Sequence, residues 1–146
     1  LQGEEIPIYL AEQKANAYTL ENNDLLITAD TIVWLNGRVY GKPTDEIEAK
    51  EMLRSLSGKT HDVITGVCVR TNTKDVAFAS TTKVRFTELT EEEIEHYVSK
   101  YRPMDKAGSY GVQEWIGYIG VEHIEGSYFN VMGLPIQKLY TVLKEF

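Results

Sequence analysis

The chain has 146 residues and a formal net charge of −7, with 42% hydrophobic and 25% charged residues. That describes one globular domain with a sizeable core. It excludes a disordered or fibrous chain, and the acidic balance excludes general nucleic-acid binding while leaving room for a nucleotide held by a few local cations. The single cysteine, Cys68, excludes an internal disulfide; with no apolar run near the roughly 18 residues of a membrane span and no signal peptide, the expected location is cytoplasmic and away from membranes.

In chain order, Ile6 to Leu20 reads as a helix with Pro7 tolerated in its first turn. Ile6, Leu10 and Ala17 form its apolar stripe, and Lys14 falls on that stripe, four residues from Leu10 and from Tyr18. Such a lysine either snorkels into water or borders a cleft and meets an anion there; the spacing leaves both open. Leu25 to Lys42 carries an apolar run that breaks at Asp30 and Thr31, resumes as Ile32-Val33-Trp34-Leu35, and turns at Asn36-Gly37. Asn-Gly between two β-prone runs predicts a hairpin with a type I′ turn, because both residues tolerate positive φ. Counting from the turn sets Leu35 opposite Arg38, Val33 opposite Tyr40 and Thr31 opposite Lys42. A carboxylate and a hydroxyl are thereby folded back beside an ammonium group, which a purely structural strand does not need. Strict alternation also sets Thr31 and Lys42 on one face and Asp30 on the other, so a shared site requires the strand to twist, bulge or end at Asp30.

A second helix begins at Pro43-Thr44-Asp45-Glu46, with Thr44 as N-cap, and buries Ala49, Met52, Leu53 and Leu56 before Gly58 stops it. His61 to Arg70 and Val76 to Phe86 read as strands joined by the polar turn Thr71 to Asp75, the second strand with one wet face. Thr90 and Glu93 form a capping box for a third helix packed through Ile94, Tyr97, Val98 and Tyr101, and Pro103 ends that segment. Met104 to Gly120 is too polar and glycine-rich for an interior helix or strand. Its run from Asp105 to Gln113 reads either as a surface loop or as backbone brought close to a ligand. Tyr118 to Glu125 is expected as a strand and Gly126 to Gly133 as a second glycine-bracketed loop. Pro135 is expected to start a last helix, buried through Ile136, Leu139, Tyr140 and Leu143. His61, His96 and His123 have no metal-ligand spacing and receive no role. The elements describe a mixed α/β domain, a sheet with helices over it.

Lys14, the Asp30-Thr31/Lys42 hairpin and the Asp105 to Gln113 loop carry polar groups that local structure does not demand. An anionic ligand with a polar head, bound in a cleft, covers all three. Lysines offer point charges to phosphates, an aspartate holds a divalent metal or takes a proton from water, and a glutamine reads the edge of a base. Walker A, Gly-x-Gly-x-x-Gly, Ser-His-Asp and zinc patterns are all absent. By themselves the residues reach a phosphate-ligand enzyme or binding module.

Longer motifs add a resemblance. Ala29-Asp30-Thr31-Ile32-Val33, Gly41-Lys42-Pro43, Met52-Leu53 to Leu56-Ser57-Gly58-Lys59-Thr60-His61 and Thr65-Gly66-Val67 occur in order. They are followed by Asp105-Lys106-Ala107-Gly108-Ser109-Tyr110-Gly111-Val112-Gln113 and by Gly126 to Pro135. Together they resemble the Maf family of nucleoside triphosphate pyrophosphatases, most nearly the subgroup acting on dTTP and UTP. The resemblance implies an elongated, twisted mixed β-sheet flanked by helices in two lobes with a central cleft, usually as a homodimer. It implies hydrolysis between the α- and β-phosphates, with magnesium or manganese as divalent cation, and a role in clearing modified or surplus pyrimidine nucleotides. It assigns Asp30 as catalytic general base, Thr31 and Gln113 to base selection, and Lys14 and Lys42 to the phosphates; it leaves the metal ligands unknown. Family chains open with a strand and a Ser-x-Ser-Pro-Arg-Arg loop followed by an acidic position that helps hold the metal, and no such run occurs here. The expectation is one Maf-like domain over residues 1–146 whose natural protein carries that segment, and a near-inactive piece without it. Two alternatives accompany this reading: a nucleotide-sensing or partner-binding module linked to cell division, and a house-cleaning pyrophosphatase for deaminated purine nucleotides such as ITP.

Overall fold

The β-branched runs of the chain pair into one sheet in the computed structural model, which describes residues 1–146. The elements are α1 (Glu5–Asn16), β1 (Leu26–Leu35), β2 (Arg38–Tyr40), α2 (Glu46–Leu56), β3 (Thr60–Arg70), β4 (Asp75–Phe86) and α3 (Glu91–Tyr101). A 3-10 turn (Ala107–Ser109), α4 (Trp115–Gly120), β5 (Val121–Glu125), α5 (Tyr128–Met132) and α6 (Ile136–Glu145) follow. The five strands lie in the order β2-β1-β3-β4-β5. The α/β class is as expected. Every pairing within this chain is antiparallel, where the resemblance implied a mixed sheet. The consecutive pairs β1–β2 and β3–β4 are hairpins, and the longer connections between β2 and β3 and between β4 and β5 also return the chain antiparallel to the strand it joins in the sheet.

Period-two alternation divides the sheet. Ile32, Ile64 and Cys68 face α1, whereas Val33, Val63, Val67 and Val69 face the other helices. On that second side α2 and α3 cover the Leu35 and Phe86 end, and α6 covers Val67 and Val69 through Leu139. The hairpin forms as counted: Asn36 and Gly37 have φ of 51° and 76°, Leu35 pairs with Arg38, and Val33 with Tyr40. Gly58 takes φ 68° at the end of α2, and Thr90 and Glu93 make the reciprocal capping box on α3. The wet face of β4 appears as exposed Thr81, Lys83 and Arg85 between buried Thr82, Val84 and Phe86.

Several expectations are corrected. Of the stripe expected on α1, only Ile6 packs on the sheet, against Ile32, Ile64 and Ala79; Leu10 is 39% exposed, Ala17 is exposed, and the buried positions are Pro7, Ala11 and Ala15. The cause is close approach. A Cβ on Gly66 of β3 would stand 2.3 Å from the backbone of Pro7 and Ile8, so only small side chains fit between α1 and the strand. The cap of α2 is Asp45, not Thr44: Asp45 Oδ1 accepts from Glu48 N–H at 2.8 Å, while Thr44 N–H donates to Glu48 Oε1 at 3.1 Å. On α6, Leu139 is buried with Val142 and Leu143 beside it, but Ile136 and Tyr140 point outward. Pro135 is its cap, accepting from Leu139 N–H at 3.0 Å. A short helix, α4, occupies the start of the expected fifth strand, which begins only at Val121.

His61 is buried behind the cleft, its Nε2 2.6 Å from the Tyr110 hydroxyl and its Nδ1 without a partner. Burial lowers its pKa from 6.5 to about 4, with Asp62 opposing. The unfolded chain therefore binds the extra proton first as the solution is acidified. Stability is full above pH 6.5 and declines toward pH 4, by about 3 kcal/mol from this group. Denaturant midpoints at pH 7.5 and 4.5 measure the decline. His61→Leu is expected to be weaker at pH 7.5, since the Tyr110 hydroxyl loses its partner, and to lack that share of the slope.

Candidate active site

An unpaired strand edge makes the cleft. β2 pairs with β1 only at Val33, Trp34 and Leu35, so the counted pair Thr31–Lys42 does not form. The ladder ends at Tyr40, and the Gly41 carbonyl accepts instead from Gly108 N–H at 3.1 Å. The glycine loop thus takes the place of the departing hairpin, and β1 from Leu26 to Ile32 keeps one edge free. A cleft of about 290 Å³ wraps that edge and draws on both faces of the strand. Lys14 and Asp30 come from the α1 side, and Thr31, Val33, Val63 and Val131 to Gly133 from the other. Lys42 and residues of the Asp105 to Gln113 segment complete the lining. The alternation problem is answered without a bulge: Asp30 and Thr31 point to opposite faces, and both reach one cavity around the edge between them. All five residues singled out from sequence, Lys14, Asp30, Thr31, Lys42 and Gln113, line it.

The last turn of α1 is joined to β1 by Lys14, whose Nζ lies 2.9 Å from Asp30 Oδ1 and donates to the Ala29 carbonyl at 2.9 Å. The lysine side chain is 55% exposed, so this ion pair contributes under about 1 kcal/mol and an arriving anion competes for the ammonium at little cost. Thr31 Oγ1 is 2.8 Å from Thr65 Oγ1, and Thr65 reaches the Asn130 carbonyl at 3.4 Å. The fully buried Asn130 donates through Nδ2 to the Ser80 carbonyl at 2.9 Å and to Thr82 Oγ1 at 2.8 Å. Those bonds tie α5 to the sheet and hold Val131 to Gly133 at the rim. Lys42 is exposed and makes no ion pair, and Lys106 stands 3.6 Å from Asp105. Three lysines and two aspartates among the lining residues leave a local cationic excess on a chain of net −7, the field a polyphosphate needs.

The two aspartates also bear on a metal. No cluster of three or more His, Cys, Asp or Glu side chains is assembled. A hard divalent cation such as magnesium is commonly held by one or two carboxylates, with substrate phosphates and water completing the shell. Asp30 and Asp105 in one cleft fit that mode and not an all-protein cage.

The loop that carries Asp105 and Lys106 is conspicuous in the sequence, but no motif assigns a role to either residue or to Val131 to Gly133. Their signal was the glycine bracketing of two polar segments. Tyr97 and Glu114, immediately behind the lining, gave no signal beyond helix packing and a polar loop.

This sheet, with its edge cleft between helical layers, defines a class. The chain belongs to the family described as Maf-like protein, which it matches over residues 2–146. Relatives at high identity carry one description. A dTTP/UTP pyrophosphatase of Bacteroides fragilis (strain YCH46) is 64% identical over 99% of this chain and 76% of its own length. A dTTP/UTP pyrophosphatase of Phocaeicola vulgatus is 60% identical over 99% of this chain and 76% of its own. One of Porphyromonas gingivalis (strain W83) is 52% identical over the whole of this chain and 75% of its own. No helix in the structure is long and apolar enough to cross a membrane.

Proposed function

We propose that this chain is a nucleoside triphosphate pyrophosphatase that hydrolyses dTTP and UTP to the monophosphate and pyrophosphate. The relatives' common description supports the reaction. The observation that carries its location is one carboxylate, Asp30, set 2.9 Å from Lys14 in a cleft with two further lysines. Lys14, Lys42 and Lys106 face the phosphates, where positioned charge supplies much of the catalysis of phosphoryl transfer. Asp30 accepts the proton of the attacking water. The water oxygen bonds to phosphorus at the α–β bridge, the bridging P–O bond breaks, and pyrophosphate leaves with the electron pair. A divalent cation, held by Asp105 together with phosphate oxygens, would add charge neutralisation on the phosphates. Thr31 and Gln113 meet the base. A glutamine amide both donates and accepts, which suits the imide edge that uracil and thymine share.

A product assay on UTP with the full-length chain, with and without magnesium or manganese, tests the reading. Pyrophosphate and UMP are expected in equal amounts, and orthophosphate as the released product would overturn it. Tight UTP binding without turnover would support a nucleotide-sensing module instead. A preference for ITP in competition would support clearance of deaminated purines.

A further inference from the structure

Gln113 is one of the two central residues of a tight turn, since Glu114 N–H donates to the Gly111 carbonyl at 3.0 Å. Both ends of this turn meet one buried phenol. Gly111 N–H donates to Tyr97 Oη at 3.1 Å, and Tyr97 Oη–H donates to Glu114 Oε1 at 2.5 Å. Tyr97 itself is fully buried on α3 and stacks on Tyr101. The packing leaves the turn little freedom. A Cβ on Gly111 would stand 2.8 Å from Glu114 Oε1 and 2.8 Å from the Cε of Lys106, and one on Gly117 would stand 1.8 Å from the Val112 carbonyl oxygen. Burial first, then the neighbouring carboxylate, push the Tyr97 phenol far above its ordinary range, so the hydroxyl keeps its proton and its donor role throughout the working pH range. Glu114 makes no ion pair that competes for its carboxylate, and it does not line the cleft.

We infer that Tyr97 and Glu114 are positioning residues for base selection, a clamp behind the cleft that fixes the turn presenting Gln113 to the pyrimidine. The inference rests on the reading of Gln113 as a base contact. A base-reading amide works only if its donor and acceptor meet the correct atoms, and a displacement of about 1 Å removes most of that advantage. The hydroxyl at position 97 bonds both ends of the turn at once, adding two side-chain bonds to the single backbone bond that joins them. Core packing alone would be satisfied by phenylalanine.

The test measures kcat/KM for UTP and for CTP, whose base edge differs, on the full-length enzyme. Tyr97→Phe keeps the ring and is expected to lower the UTP-to-CTP ratio by about tenfold, the equivalent of one buried hydrogen bond. Glu114→Ala should lower it similarly, while Glu114→Gln, whose amide oxygen still accepts from the phenol, should keep the ratio near that of the native enzyme. Val98→Ala, elsewhere on α3, should lose thermal stability with the ratio intact. Should Tyr97→Phe fail to fold, the Glu114 pair, at a partly exposed position, carries the test. Gln113→Ala separates the two layers. If it leaves the ratio unchanged, the base-contact reading falls and the clamp with it. If Gln113→Ala lowers the ratio while Tyr97→Phe and Glu114→Ala do not, or if Glu114→Gln is as poor as Glu114→Ala, the clamp alone is overturned.

Discussion

Asp30→Asn is expected to retain nucleotide binding and to slow UTP hydrolysis by about three orders of magnitude, the contribution typical of a general base. The substitution changes almost nothing in shape. Asparagine keeps an oxygen that can accept from Lys14, which lies 2.9 Å from Asp30 Oδ1, so α1 and β1 stay joined at this point. What disappears is the group that takes a proton from water and one negative charge in a cleft lined by three lysines. That charge loss should leave triphosphate affinity equal or tighter, which makes the prediction asymmetric: kcat falls and binding does not. Equilibrium titration with UTP and single-turnover kinetics measure the two separately. Turnover at the native rate would remove Asp30 from its role.

Gly66→Ala is expected to cost about 3 kcal/mol of stability and to raise the KM for UTP. The new methyl group would lie 2.3 Å from Ile8 N and from the Pro7 carbonyl carbon, and 2.4 Å from the Pro7 oxygen. All three are backbone atoms, so no side-chain rotation relieves the clash and α1 must lift from the sheet. Lys14 then moves with its helix, away from the Ala29 carbonyl and Asp30. Stability and substrate affinity should fall together, linked by one displacement. Gly41→Ala is the comparison. Nothing lies within 4 Å of its added Cβ, and stability should change by no more than about 0.5 kcal/mol. A Gly66→Ala protein with an unchanged denaturant midpoint would mean that the close contact between α1 and β3 does not govern the position of Lys14.

Much of this protein is legible in its residues alone, wherever the deciding contacts are local. The Asn36-Gly37 turn follows from the steric tolerance of two adjacent residues, the Thr90–Glu93 box from groups three positions apart, and the wet face of β4 from simple alternation. Asp30, Lys14, Lys42 and Gln113 were also visible, because charged and amide groups in runs that local structure does not need are conspicuous in sequence. Tertiary structure decided the rest. The side of α1 that is buried depends on Gly66, more than fifty positions later, which admits Pro7, Ala11 and Ala15 and turns Leu10 outward. The end of β2 depends on Gly108 taking the Gly41 carbonyl. That capture opens the edge of β1 and so allows Asp30 and Thr31, on opposite faces, to meet in one cleft. The bonds from Tyr97 to both ends of the Gly111–Glu114 turn belong to the same kind: they exist only where segments far apart in sequence come within hydrogen-bonding distance. Periodicity and propensity describe what a segment can do with its own neighbours, and the choice among those options falls to whichever backbone approaches it most closely.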